Sequence, residues 1–175
     1  FINDDGSDGD AKDVARSLSE SKLHELKAAQ NLDVIYLNIH CLVSQKQKTK
    51  VKFLQEICDN ENVPILCLTE TWLRPGVTDN EVNMDGFTIY RADRLAKNSD
   101  FPHGGSAIYV KNSLPVLSHS SFSNGVCDCI SVVIEELKLI ILVLYRPPRA
   151  TYDSLYEALH FVSKEKHKQP SFRYY

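Results

Sequence analysis

The stretch Pro64-Ile-Leu-Cys-Leu-Thr-Glu70-Thr-Trp-Leu73 decides the fold class. Its run of apolar residues, opened by proline and closed on a carboxylate, suits a strand covered on both faces. Upstream, Val34-Ile-Tyr-Leu37 reads the same way and ends on Asn38. Between the two, Lys50 to Asp59 places Val51, Leu54, Ile57 and Cys58 at helical spacing, which predicts an amphipathic helix. Strand, helix, strand with links of this length predicts parallel pairing. Downstream, Phe87–Arg91, Gly105–Lys111, Cys129–Ile134 and Lys138–Tyr145 read as strands, with Glu135-Glu136 as a hairpin link. Tyr152 to Lys164 reads as a helix capped by Thr151, with Tyr152, Leu155, Tyr156, Leu159 and Val162 on one face. The expected class is α/β, with a mixed sheet covered by helices.

A chain of 175 residues has room for one domain, and 43% hydrophobic with 25% charged residues is a globular composition. A net charge of −3 excludes a protein that holds nucleic acid mainly through a basic surface. It leaves a nuclease open, because metal ions can supply the positive charge at a phosphate. The first ten residues, FINDDGSDGD, hold four aspartates and no base, so the other 165 residues carry +1. Residues 1–30 are expected to be an acidic leader with a weak helix over 11–30, and 31–175 the domain proper. The chain starts on Phe1 without a signal peptide and is expected to be a piece of a longer protein. Five cysteines without a secretory signal point to free thiols in a reducing compartment. The longest apolar run, Leu139 to Tyr145, is too short to span a bilayer, so an intracellular protein without a membrane partner is expected.

Glu70 is the most informative single residue. A carboxylate at the carboxyl end of a buried strand lies on the rim where α/β proteins place ligands, and it is costly to desolvate unless paired or metal-bound. A rim glutamate paired with a nearby base is an equally good explanation of Glu70 alone. Asn38 ends the neighbouring strand in the same manner, although a turn-forming asparagine would do the same. Tyr145-Arg146-Pro147-Pro148 ends a third, and the Arg146 fork matches phosphate oxygens. Three strands ending in Asn, Glu and Tyr-Arg make a polar site over an apolar sheet.

Taken in order, these residues resemble a family. Asn38-Ile-His-Cys-Leu42, Leu68-Thr-Glu70-Thr-Trp72-Leu73, Tyr90-Arg-Ala-Asp-Arg94, Gly104-Gly105-Ser-Ala-Ile-Tyr-Val-Lys111 and Leu144-Tyr145-Arg146-Pro147-Pro148 occur in the sequence of the endonuclease/exonuclease/phosphatase superfamily. The wording is similar to the apurinic-endonuclease-like domain of non-LTR retrotransposons of the LINE and jockey kind, over roughly residues 33–165. The resemblance implies a DNase I-like four-layer α/β sandwich, here partial, and a phosphodiesterase that nicks target DNA with Mg²⁺ or Mn²⁺. It implies Glu70 as a metal ligand, Asn38 as organiser of metal and phosphate, Tyr145 against the scissile phosphate and Arg146 as a substrate contact. It also implies a reverse-transcriptase domain downstream in a parent polyprotein, and a nuclear location.

The sequence departs from the family where the attacking water is activated. Neither the Gly-Asp-Phe-Asn type motif nor the Ser-Asp-His type motif occurs in the 175 residues. The chain alone is therefore expected to be inactive, with an incomplete second sheet and an exposed apolar edge. A non-catalytic interaction module and a phosphatase for small metabolites or lipids are the rival functions. Lys46, Lys48, Lys50 and Lys52 read as a solvated basic face, and His103-Gly104-Gly105 as a tight turn. Cys127-Asp-Cys129 reads as alternating strand residues and Trp72 as a packing anchor.

Overall fold

The computed structural model describes residues 32–43, 49–94, 103–168 and 173–174. The acidic leader, the weak helix over 11–30, and Lys46 and Lys48 lie outside the described residues. All but Leu32 of the described residues belong to one compact unit, Asp33–Tyr175.

Two four-stranded sheets form its centre. The first takes the order β1-β2-β4-β3, from β1 (Val34–Asn38), β2 (Ile65–Thr69), β3 (Phe87–Ala92) and β4 (Ser106–Lys111). Strands β1 and β2 pair in parallel, with Asn38 opposite Thr69, as the strand–helix–strand pattern predicts. Strand β4 runs antiparallel to both β2 and β3. The second sheet takes the order β5-β6-β7-β8, from β5 (Ser118–Ser123), β6 (Asp128–Ile134), β7 (Leu139–Tyr145) and β8 (Arg173–Tyr174). Its β6–β7 hairpin puts Asp128 opposite Tyr145.

Helix α1 (Thr49–Asn60) covers the outer face of the first sheet. Leu54 and Cys58 pack there with Leu66, Leu68, Ala107 and Tyr109. Ile65 and Cys67 point the other way from β2 and are also buried, because the second sheet packs on that face. Helix α2 (Tyr152–Lys168) lies on β5 and β6, with Phe161 stacked on Phe122 at 5.5 Å. Helix, sheet, sheet and helix make the expected four layers. Among the described residues, no helix is long and apolar enough to cross a membrane.

Helix α2 leaves exposed three of the five residues that its spacing marks as an apolar face. Tyr152 is 86% exposed and Tyr156 71%, and Leu159 is exposed too, while Ala158 is fully buried. The small Ala158 lets the helix axis approach the sheet, and the bulkier tyrosines turn outward. Strand β5 was hidden from periodicity by its Ser-His-Ser-Ser composition and is recruited by pairing with β6. At the edge of the first sheet, β1 leaves Val34 and Tyr36 exposed.

Candidate active site

Strand β2 is followed by a kinked segment in which Glu70 and Trp72 both take positive φ, 56° and 53°. His40 and Cys41, after β1, do the same at 47° and 71°. Such conformations cost L-residues energy and persist only where the surroundings impose them. Here the surroundings are backbone hydrogen bonds from both sides. Cys41 N–H donates to Glu70 O and Leu42 N–H to Thr71 O, each at 2.8 Å, while Trp72 N–H donates to Gly104 O at 2.8 Å. Lys50 completes the cradle. Its ammonium donates to the carbonyls of Ile39, His40 and Cys41 at 2.9, 2.8 and 2.9 Å, so it holds this loop and is not the solvated lysine that its spacing suggests.

The Glu70 carboxylate collects donors from three elements. The Tyr145 hydroxyl, from the second sheet, donates to Oε1 at 2.9 Å. The Trp72 indole donates to Oε2 at 3.3 Å, and the Asn38 amide donates from the end of β1. His40 Nδ1 stands 3.6 Å from Oε2. Burial pushes the Glu70 carboxyl upward, but the bonds from Tyr145, Asn38 and Trp72 and the His40 charge outweigh it, and the net shift is downward. Glu70 is an anion at neutral pH. Tyr145 moves the opposite way, pushed up to about 12 by burial and by its bond to Glu70, so its phenol keeps the proton it donates.

The sequence-predicted residues Asn38, Glu70 and Tyr145 thus meet at one point, where the ends of the two sheets face each other. Arg146 does not join them. It is exposed and donates to the Ala150 carbonyl at 3.2 Å. Trp72 is more than a packing anchor, since it bonds Glu70 and sits between two imidazoles, 4.5 Å from His40 and 4.2 Å from His103.

Sequence reading missed a second polar group beside the first. Asp128, at the start of β6, has 0% exposure. Its Oδ2 accepts from Arg94 Nε at 3.0 Å, Arg94 Nη2 at 2.7 Å and Gly105 N–H at 2.8 Å, and its Oδ1 from the Ser123 hydroxyl at 2.8 Å. Arg94 Nη2 also donates to the Val126 carbonyl, and its Cζ lies 5.2 Å from the Tyr145 ring centroid. The signal was an aspartate inside an apolar strand, which burial makes costly unless a base is near. Cys127 and Cys129, on either side, are buried free thiols. The Cys129 thiol is pushed up to about 12 by burial and the Asp128 charge.

A metal at Glu70 fits the donor chemistry in part. Mg²⁺ is held by one or two carboxylates with water and substrate phosphate, and the three bonds above leave the Glu70 carboxylate one lone pair. Among the described residues, no group of three or more His, Cys, Asp or Glu is placed to hold a metal ion.

The order of sheets and helices is that of the DNase I-like fold, and solved structures share it. D. rerio TDP2 complexed with a single-strand DNA product superposes with a TM-score of 0.51 at 13% identity, over 78% of this chain and 54% of that one. Truncated Caenorhabditis elegans TDP2 gives 0.50 at 20% identity, over 77% and 54%. An AP endonuclease from Archaeoglobus fulgidus gives 0.48 at 14% identity, over 77% and 49%. The chain spans about half the length of these neighbours. No family model and no curated protein sequence matches it.

Proposed function

We propose that this domain is a divalent-metal phosphodiesterase module for DNA, of the apurinic-endonuclease-like kind found in non-LTR retrotransposons. One observation carries the reading: an ionised glutamate at the end of β2, held by an asparagine from the adjacent strand and a tyrosine from the facing sheet. Glu70 and Asn38 would hold the metal, which supplies charge neutralisation at the phosphate oxygens. Tyr145 fixes the carboxylate with its single hydroxyl proton, and a phosphate oxygen beside it would compete with Glu70 for that proton. The DNA-bound state of the D. rerio neighbour supports DNA as the substrate class. The motif wording supports the retroelement branch, a downstream reverse transcriptase and a nuclear setting.

These 175 residues are expected to bind metal weakly and not to nick DNA, because the water-activating motifs do not occur among them. The test pairs two assays. Mn²⁺ binding should be measurable in the wild type and lost in Glu70→Gln, while supercoiled plasmid with Mg²⁺ or Mn²⁺ stays intact. No Mn²⁺ binding at millimolar levels overturns the metal site, and robust nicking lost in Glu70→Gln overturns the inactivity. The exposed Tyr152 and Tyr156 favour a second reading, an interaction module. Its mark is a partner complex indifferent to Asn38, Glu70 and Tyr145.

A further inference from the structure

We propose that Arg94, locked on buried Asp128, is the positioning residue of the Glu70 centre. Arg94 makes no hydrogen bond to Glu70 and reaches the site only through the ring of Tyr145 and the turn at Gly104. It acts on two of the elements that hold Glu70 in place. Its guanidinium lies over the Tyr145 ring, 5.2 Å from the centroid, and Tyr145 is the donor to Glu70 Oε1. Its other side fills the space against Gly104, where a Cβ would come within 2.5 Å of Arg94 Cζ. Gly104 O and Gly105 O in turn accept from Trp72 N–H and Thr71 N–H, at 2.8 and 3.3 Å, and so fix the backbone on which Glu70 rides. Gly105 N–H closes the circuit on Asp128 Oδ2. Moving Arg94 therefore moves the tyrosine and the Gly104–Gly105 turn together.

The planar fork is what the site requires. Two of its nitrogens meet one carboxylate oxygen, Nη2 reaches the Val126 carbonyl, and the plane lies over the tyrosine ring. A lysine ammonium supplies the charge without the plane. A plain structural staple between β6 and the β3–β4 edge would need only that charge and the burial; a positioning residue needs the geometry.

The inference rests on Glu70 being the metal-binding carboxylate, and the test separates the two. Trp72 is the only tryptophan, so the protein has a single indole N–H resonance, and that N–H bonds Glu70 Oε2. Without metal, Arg94→Lys is expected to shift this resonance, whereas Arg91→Lys leaves it in place. With Mn²⁺, Arg94→Lys should weaken binding about 10-fold or more, the usual loss on removing an outer support of a metal ligand. In a Tyr145→Phe background the Arg94→Lys effect should shrink, because the two act in series. Gly104→Ala, which displaces Arg94 without deleting it, should reproduce the indole shift and serves if Arg94→Lys does not fold. An unmoved indole in folded Arg94→Lys or Gly104→Ala overturns the proposal. So does unchanged Mn²⁺ affinity in a protein whose wild type binds it. A wild type that binds no Mn²⁺ overturns the metal reading, and the metal-free indole comparison then decides the role of Arg94.

Discussion

Arg91 and Arg94 stand three residues apart at the end of β3, equally shielded, and they hold different parts of the molecule. Arg91 turns to the loop before β3. It donates to the carbonyls of Val77 and Arg74 and pairs with Asp93 and with the exposed Asp79. Arg94 turns inward to a carboxylate with no exposure and to the ring of Tyr145. The sequence Tyr90-Arg-Ala-Asp-Arg94 shows two similar bases; the difference lies in what each one reaches. A partner in water gives a pair little net worth, whereas a buried partner leaves an uncompensated charge when the pair is broken.

That contrast can be broken most severely from the carboxylate side. Asp128→Ala removes four accepted hydrogen bonds and leaves Arg94 buried without its counter-charge, so a loss of about 3–5 kcal/mol is expected in denaturant unfolding. A loss below 1 kcal/mol would mean that the pair is dispensable. Gly104→Ala comes next. Its φ of +114° and the 2.5 Å approach to Arg94 predict strain of about 1–3 kcal/mol on the same assay, and a stable variant would refute the close packing. Arg91→Lys is expected to cost about 2 kcal/mol or less, since Asp79 is open to solvent and a lysine keeps a charge beside the largely shielded Asp93. A larger loss would erase the distinction between the two arginines.

The smallest effect is a pH dependence. The folded Glu70 carboxyl lies below its ordinary value, so its contribution to stability is fully present above the unfolded pKa. It is lost as pH falls from about 4.3, the ordinary glutamate value, through the lower folded pKa. The stability difference between wild type and Glu70→Gln should therefore be constant near neutrality and shrink in acid. A difference that grows on acidification would mean that the carboxyl is raised, and that burial outweighs its donors.

The layers were legible because their signals are local. Apolar runs at 34–37, 65–68 and 139–145, and helical spacing at 51–58, survive in the structure at nearly the same bounds. Asn38, Glu70 and Tyr145 were legible because each ends such a run. Strand β5 was not, since Ser118 to Ser123 has no apolar alternation and owes its form to β6. The outward tyrosines of α2 were misread because periodicity gives a face but not the neighbour it meets. Asp128 and Arg94 were missed for the same reason, as a pair 34 residues apart has no spacing signature.

Glu70 is proposed as a metal-binding carboxylate held ready by Tyr145 and Asn38. Its most direct test is titration of the protein with Mn²⁺, followed by paramagnetic broadening of the Trp72 indole N–H, which bonds Glu70 itself. The expected result is broadening that saturates in the wild type and is absent in Glu70→Gln. An indole that stays sharp in the wild type, or broadens equally in Glu70→Gln, would contradict it.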